Sequence, residues 1–293
     1  MSHSTLQQLA QQEKTRREIL HKSDLIPPLP DLVVRLLGIL NKQETEPQDL
    51  ERLMQNDQVL VAKMLAMVNS PFYGLNRQIR TIKDAVMVLG FRGVRSLVLA
   101  TSTAKFLQRD FACYGHQPKG LWLHAVAVAA GSRSLARTCK MTPDEAEMLF
   151  VGGLLHDIGK LLLVGYFNDA GAASGIHANV CDYERSKIGI DHAEAGALVA
   201  AKWNLAAEIQ DVIRAHHDLP TETNLKALAI VRLADAIAHE MGTGYEPGHA
   251  PAMQLLPNDL AVLGLTMDSW QPLRDQLVVA MEEAVTALGK LSP

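Results

Sequence analysis

The chain has 293 residues, of which 48% are hydrophobic and 20% are charged. This composition is typical of a globular protein and excludes a largely disordered chain. Lysine and arginine total 28 against 32 acidic residues, for a net charge of −4, and no long basic run is present, so we expect no nucleic-acid partner.

The three cysteines and the N-terminal segment indicate the compartment. Cys113, Cys139 and Cys181 are widely spaced without a CxxC pair, which is typical of free thiols in a reducing compartment. The first 20 residues are polar and helix-prone where a signal peptide would be apolar. No apolar run approaches the roughly 20 residues that cross a bilayer. We therefore expect a cytoplasmic protein with no membrane contact.

Helix signals dominate the first half of the chain. The proline-rich segment IPPLP at 26–30 separates a first helix from a series of amphipathic ones. The predicted elements are helices over 5–20 and 31–42, two short helices within 46–70, a loop at 72–80, and two helices separated by a break at Gly90 to Gly93. The apolar side chains of this series, including Met64, Met67 and Met87, are interpreted as core.

The second half continues the helical pattern after a loop at 113–120. Thr142 as N-cap, with Pro143 after it, begins a helical stretch that runs on through GGLLHDIGK, and Asp191 caps another helix. The other predicted helices cover 121–138, 206–217, 225–242 and a last segment after a loop that begins at 242. Because strand patterning is almost absent, we predict an all-α fold, with an N-terminal helical subdomain over 1–118 and a helical bundle over 119–293.

Polar residues interrupt this apolar pattern at a few places. The segment GGLLHDIGK, 152–160, sets His156 beside Asp157 with Lys160 one turn further on. Such groups cost several kcal/mol to bury unless they are paired or bind a metal. Further residues of this kind lie on or at the ends of separate predicted helices, and they are His124, His192, His216, His217 and Asp235. That distribution suits a metal site inside a helical bundle.

The residue types indicate the kind of metal. Imidazole nitrogen together with carboxylate oxygen suits Fe, Mn, Zn or Ni, whereas Mg or Ca prefers oxygen ligands alone. A carboxylate next to a histidine can bridge to a second ion, and two ions roughly 3.5 to 4 Å apart clamp a phosphate and activate a water. We therefore expect a divalent transition metal, with two ions and phosphoester chemistry.

Each of these residues also has an ordinary structural explanation, which the sequence leaves open. His124 is then a hydrogen-bonded core histidine, and His216 or His217 caps a helix C-terminus. Asp235 pairs with Arg232 or Lys226 on a solvated face. Lys160 extends its charged end to water. Glu184 either orients a ligand histidine or pairs with Arg185 or Lys187 on a helix surface. A separate alternative treats all these polar groups as one hydrogen-bonded core network without metal.

The order His, His-Asp, His, His-His, Asp resembles the HD superfamily of metal-dependent phosphohydrolases. The resemblance is closest to the HDOD domain, which is related to the HD-GYP cyclic-dinucleotide phosphodiesterases of bacteria. It extends from about Leu25 to about residue 240. Six blocks recur in order, namely IPPLPDLVVRLL, NSPFYGLNRQIRTIKDAVMVLG, LWLHAVAVA, LLHDIGKLLL, YERSKIGIDHAEAGALVAAKWNL and IRAHH.

The resemblance implies roles for the polar residues. It places His124, His156, Asp157, His192, His216, His217 and Asp235 at metal-binding positions, and Lys160 near the metal-bound phosphate, so that Asp157 and Lys160 are the catalytic candidates. Two departures count against cyclic di-GMP hydrolysis and a third metal. The Gly-Tyr-Pro stretch expected after His217 is missing, and the position of a ligand glutamate in three-metal relatives is Gly120.

The resemblance leaves two functions open. The first, which we favour from the sequence, is a bacterial HDOD-type signalling or regulatory protein that acts through contact with a protein partner and retains a two-metal centre. The alternative is a metal-dependent phosphohydrolase that acts on a nucleotide or cyclic dinucleotide.

Overall fold

The computed structural model describes residues 3–21, 26–40, 46–55, 57–167, 180–218, 225–248 and 257–289. Within these ranges the regular structure is helical, and one isolated bridge joins His116 to Tyr245. The predicted all-α class is therefore confirmed.

The first five helices follow the predicted order. They are α1 (His3–His21), α2 (Asp31–Leu40), α3 (Pro47–Met54), α4 (Gln58–Val68) and α5 (Ile82–Leu107). The two short helices predicted within 46–70 are confirmed as α3 and α4. The side chain of Asp57 accepts a hydrogen bond from the Leu60 N–H at 2.8 Å, which caps the start of α4.

α5 contains the predicted break. It occurs at Gly90, whose φ of 70° is non-helical, and it divides α5 into two helical segments joined by a kink. Met64 and Met67 are buried as predicted, whereas Met87 is 68% exposed. The prediction for Met87 was wrong because Ala85 and Val86 face the core, and the helical rotation of about 100° per residue turns Met87 outward.

Within the described ranges, nine further helices follow the loop that ends at Gly120. They are α6 (Gly120–Thr138), α7 (Pro143–Leu155), α8 (Lys160–Leu163), α9 (Val180–Ile188), α10 (His192–Lys202), α11 (Ala207–Ala215), α12 (Leu225–Glu240), α13 (Pro257–Val262) and α14 (Met267–Leu288). Thr142 and Glu145 form the capping box of α7, and Asp191 caps α10. The last segment contains two helices rather than one, and residues 249–256 of the predicted loop lie outside the described ranges.

α6 lies at the centre of this second group, packed against α7, α12 and α14. Small residues let the helices approach closely. A side chain at Gly153 of α7 would collide with Ser132 and with the Val128 carbonyl of α6, at 2.9 Å each, and one at Gly131 would lie 3.1 Å from Ala234 of α12. The close packing brings polar residues of α6, of α12 and of the turn that follows α7 to one place.

The two halves of the chain share apolar packing. One cluster of buried side chains includes Leu36 and Leu50 from the first half together with Leu155 and Ile213 from the second. The indole N–H of Trp203 donates to the Pro27 carbonyl at 3.0 Å, which ties α10 to the segment before α2. The predicted subdomain boundary after residue 118 stays a prediction.

Two segments, Ile82–Leu107 and Pro143–Tyr166, are long and apolar enough to cross a membrane by composition, so the expectation that no apolar run approaches this length was wrong. Of their most apolar stretches, 61% and 83% are buried inside the fold. Core helices pass the same test of length and composition, so these segments are weak evidence for membrane insertion.

Candidate metal centre

His156 and Asp157 lie in a turn, not inside the continuous helix that the sequence pattern indicated. α7 ends at Leu155 and α8 begins at Lys160. His156 Nδ1 donates to the Gly153 carbonyl at 2.7 Å, so Nε2 is left free as a ligand atom. Both side chains are buried. The turn therefore presents an imidazole nitrogen and a carboxylate to the interior.

A first cluster joins side chains from three parts of the fold: His124 of α6, His156, and Asp235 of α12. Asp235 Oδ1 lies 3.0 Å from His124 Nε2 and 3.6 Å from His156 Nε2. Within the described ranges neither His124 Nε2 nor Asp235 Oδ1 has a hydrogen-bond partner of acceptable geometry, although both are shielded from solvent. Unsatisfied buried groups cost about 1–3 kcal/mol each, so a cation at this place would relieve them.

A second cluster consists of Asp157, His192, His216 and His217. His192 Nε2 lies 3.1 Å from Asp157 Oδ1, 3.3 Å from His216 Nε2 and 3.0 Å from His217 Nε2. His216 Nδ1 donates to the Ile213 carbonyl at 2.7 Å, which directs its Nε2 to the cluster. Several ligand atoms thus converge on one small volume.

Protonation in the second cluster follows burial and neighbouring charge. Burial, reinforced by neighbouring histidines, holds the pKa of His216 well below its usual range and lowers the pKa of His217 to about 3. Burial opposes a charge on His192 as well, but Glu184 and Asp157 raise its pKa to about 9. In the metal-free protein a proton on His192 therefore supplies positive charge where a metal ion would bind, and metal uptake would release it.

Asp157 connects the two clusters. Its Oδ1 faces His192, and its Oδ2 lies 3.4 Å from His156 Nε2 and 3.8 Å from His124 Nε2. The Lys160 ammonium donates to the same Oδ2 at 2.6 Å. Burial alone would raise the pKa of Asp157, but Lys160 and the histidines hold it well below its usual range. One oxygen of an ionised carboxylate thus faces each cluster, which is the arrangement that a ligand bridging two ions requires.

Glu184 of α9 supports the second cluster from behind. It is fully buried, and its Oε2 accepts hydrogen bonds from His192 Nδ1 at 2.7 Å and from the His192 backbone N–H at 2.8 Å. The surface pair with Arg185 or Lys187 was therefore wrong, since Arg185 pairs with Asp182 and Asp191. A carboxylate on one ring nitrogen fixes the tautomer and raises the basicity of the other.

The remaining structural explanations also fail on burial and contacts. Lys160 is 4% exposed and pairs with Asp157, so it does not reach water. Asp235 is buried, while Arg232 pairs with Asp259 at 2.6 Å. Neither ring nitrogen of His124 has a hydrogen-bond partner of acceptable geometry within the described chain. The interpretation of His216 as a simple helix cap is incomplete, because its Nε2 faces His192.

The sequence interpretation missed three residues next to the first cluster. His239 Nε2 lies 3.3 Å from Asp235 Oδ1, and the Tyr245 ring stacks on His116 with centroids 4.2 Å apart. His239 follows Asp235 by one helical turn, so helical spacing could have identified it. His116 and Tyr245 meet through the bridge between distant segments, for which no local pattern exists. Together they form an aromatic wall beside His124.

A third group of potential ligands, Cys181, Glu184 and His192, is buried nearby. Burial raises the pKa of the Cys181 thiol, and the thiolate is the form that binds metal. His192 Nδ1 is already bonded to Glu184. This group therefore fits a support for His192 better than a separate metal site.

The residues fit a transition metal on the chemistry of their donors. The two clusters offer five imidazoles and two carboxylates, a nitrogen and oxygen set that suits Zn, Fe, Mn or Ni. Position 120 offers no further ligand, because a side chain there would meet the Gly244 carbonyl at 1.9 Å. The structure thus brings together all seven residues predicted from the sequence, and their role as ligands stays a prediction.

The family follows from a match to the whole central region. The HDOD domain family matches residues 26–219, two thirds of the chain, and the chain belongs to this family. The matched region contains six of the seven clustered residues, and Asp235 follows it.

Two curated relatives extend the comparison. An uncharacterized protein of Treponema pallidum (strain Nichols) is 29% identical over 219 residues, which cover 72% of this chain and 41% of the relative. Ribonuclease Y of Fervidobacterium nodosum is 26% identical over 218 residues, which cover 73% of this chain and 35% of the relative. The chain thus spans about two fifths or less of the length of either relative.

Solved structures share the fold over nearly their full length. An HDOD domain protein of unknown function from Geobacter sulfurreducens superposes with a TM-score of 0.76 at 24% identity, covering 97% of this chain and 99% of that one. A candidate phosphohydrolase from Shewanella amazonensis SB2B gives a TM-score of 0.70 at 26% identity, covering 93% and 97%. The helices before and after the family match are therefore part of the shared architecture.

Proposed function

We propose that this chain is a metal-dependent phosphohydrolase with a two-metal centre. The observation that carries the proposal is the position of Asp157, whose carboxylate oxygens face one cluster each. The sequence alone favoured regulation through protein contact. The proximity of all seven candidate ligands, with a carboxylate between two groups of histidines, shifts our preference to the enzymatic alternative, because this donor arrangement suits two-metal phosphoester chemistry.

The clusters divide the ligands between two ions. His124, His156 and Asp235 would hold one ion, His192, His216 and His217 would hold the other, and Asp157 would bridge them. When bound, such a pair supplies Lewis-acid stabilisation of a phosphoryl group and an activated water. The low dielectric of this buried place strengthens every charge interaction in it.

Lys160 supplies positive charge next to the clusters. Burial opposes its charge, but Asp157 outweighs that effect and raises the pKa of the ammonium. Its ammonium lies 2.6 Å from Asp157 Oδ2, so its positive charge lies directly beside the carboxylate between the two clusters. A cation held ready in this way stabilises the negative charge that develops during phosphoryl transfer.

The substrate class proposed is a phosphoester of a nucleotide or cyclic dinucleotide, handled in the cytoplasm of a bacterium. Support comes from the relative described as a candidate phosphohydrolase and from the donor set. The missing Gly-Tyr-Pro stretch after His217 makes cyclic di-GMP the less favoured substrate.

The test uses Asp157→Asn and a matched Asp211→Asn control. Asp211 is a half-buried aspartate of α11 whose side chain is 48% exposed and pairs with Arg214. Untagged protein prepared without chelators is analysed for metal content and for hydrolysis of bis(p-nitrophenyl) phosphate. We expect about two ions and measurable turnover in the wild type and in Asp211→Asn, with both lost in Asp157→Asn. Hydrolysis by Asp157→Asn at the wild-type rate would contradict the proposal, and wild-type protein without metal would favour the hydrogen-bonded core.

Regulation through contact with a signalling protein is the second candidate. Its support is the burial of the centre, since His124 and His192 have no exposed surface, and a closed site suits a structural or sensing metal. Stoichiometric metal in the wild type, with no turnover of phosphodiester or nucleotide probes, would favour this function over the first.

A further inference from the structure

Tyr114 reaches the second cluster from the loop before α6. It lies in a short 3₁₀ turn, Ala112–Tyr114, and is 4% exposed. Its hydroxyl donates to Glu184 Oε1 at 2.8 Å. Burial holds the pKa of this hydroxyl well above its usual range, so it keeps its proton and acts as a donor.

The hydrogen bonds of Glu184 are divided between two partners. Oε1 accepts from Tyr114, while Oε2 accepts from the ring and the backbone N–H of His192. A carboxylate tied through one oxygen has little freedom to rotate the other away. Tyr114 therefore fixes the orientation in which Glu184 holds His192.

The Tyr114 ring is itself held on two sides. It packs edge-on against Phe167 with centroids 5.8 Å apart, and the Lys160 ammonium lies 5.2 Å from its centroid. Lys160 in turn binds Asp157. The hydroxyl of Tyr114 thus contacts Glu184, which supports His192. Its ring contacts Lys160, which pairs with Asp157.

We infer that Tyr114 is a positioning residue that tightens metal binding at the second cluster by fixing His192 through Glu184. The inference rests on the proposed metal centre and goes beyond it, since Tyr114 is not among the seven candidate ligands and its hydroxyl bonds to Glu184 instead. It also means that a residue from the predicted N-terminal subdomain completes the support of the site.

The experiment measures metal affinity in Tyr114→Phe, which keeps the ring and removes the hydroxyl. Metal-free protein is titrated with Zn²⁺ in competition with a chromophoric chelator, and Co²⁺ is used for the visible spectrum of the loaded site. Loss of a group bonded directly to a ligand histidine, as Glu184 is to His192, typically weakens metal binding 10- to 100-fold. Tyr114 acts one step further out, so we expect Tyr114→Phe to weaken binding at one site by no more than about 10-fold, the lower end of that range, with an altered Co²⁺ spectrum and an unchanged circular dichroism spectrum.

Tyr183→Phe is the matched control. Tyr183 precedes Glu184 on α9, and its ring packs on the same Phe167 with centroids 5.6 Å apart, but the hydrogen bonds of Glu184 go elsewhere. This variant should bind Zn²⁺ as the wild type does. An equal weakening in both variants would show a general packing effect and overturn the inference.

Glu184→Gln in combination with Tyr114→Phe tests the route of the effect. If Tyr114 acts through Glu184, the hydroxyl should matter much less once the carboxylate is gone, so the two effects should not add. Full additivity, or wild-type affinity in Tyr114→Phe, overturns the inference alone. A wild-type chain that takes up no metal overturns the proposed function and the inference together.

Discussion

The helices up to α5 and those from α6 onward bury different kinds of side chain. In α2 to α5 the buried polar groups are hydroxyls of α5, and those of Thr101, Ser102 and Thr103 donate to carbonyls one turn back at 2.6–2.7 Å. In the described chain every buried charged or imidazole side chain lies at residue 116 or later. Hydroxyls satisfied inside their own helix need no distant partner, whereas buried charges do.

This difference separates a scaffold from a site. The first half is stabilised by apolar burial, and such a core tolerates hydrophobic substitutions best when they conserve volume. The second half contains ionised groups whose cost is offset only if partners from other helices arrive in the right place. Three variants test this difference between the two halves through the free energy of unfolding. They are ordered from the largest expected effect to the smallest.

Removal of one buried charge from the second half should lower the free energy of unfolding more than any other change considered. Arg232 donates to Asp259 through two nitrogens and to the Asp218 carbonyl, next to His217, at 2.6 Å. Arg232→Ala leaves Asp259 buried without its partner, which typically costs about 3–5 kcal/mol. Urea unfolding of the metal-free protein measures the loss.

The control for this variant is an exposed ion pair. Arg16 of α1 binds Glu194 of α10 at 2.7 Å, with side chains 37% and 39% exposed. Arg16→Ala should cost less than about 1 kcal/mol because water already screens this pair. Equal losses in the two variants would contradict the role of burial in the comparison.

A cavity in the first half should lower stability without touching the metal. Leu50 of α3 is fully buried, and Leu→Ala in a core costs about 2–5 kcal/mol. We expect Leu50→Ala to unfold at lower urea concentration yet to retain the wild-type metal content while folded, with Val59→Ala, at a 65% exposed position, as the unaffected control. Loss of metal from folded Leu50→Ala would show that the scaffold and the site are not separable.

The smallest effect concerns pH. Burial lowers the pKa of His239 and His217 to about 3. In the metal-free protein these two histidines therefore bind protons below about pH 6.5 in the unfolded chain but stay neutral in the folded chain. The free energy of unfolding should therefore fall as pH falls from 6.5 to 4.5. His192 has the opposite effect, because its pKa is raised to about 9 in the folded chain. Its protonated ring stabilises the fold, and this contribution to the free energy of unfolding is lost as pH rises from 6.5 to 9.

His239→Gln isolates one of these protons. The variant should flatten the decline between pH 6.5 and 4.5 by at most about 1.4 kcal/mol per pH unit. His21→Gln, at an exposed position, should leave the slope unchanged. A slope in His239→Gln equal to that of the wild type would mean that His239 is not held neutral by burial.

Local sequence signals determined where the helices begin and end. Thr142 with Pro143, and Asp191 before α10, have the caps that their types predicted, because a cap acts on backbone groups two or three residues away. The order of His156, Asp157 and the other polar residues, together with six sequence blocks, also indicated the family and the seven members of the clusters, since polar groups in apolar helices need a partner or a metal.

The tertiary structure decided which of these groups meet and what surrounds them. Tyr114 and Glu184 are 70 positions apart, and the separation between His116 and Tyr245 is larger still. Neither pair follows from periodicity, because periodicity gives a face of a helix and not the neighbour that covers it. Met87, the turn at His156 and the burial of Lys160 were settled in the same way, by the packing of helices that are distant in the chain.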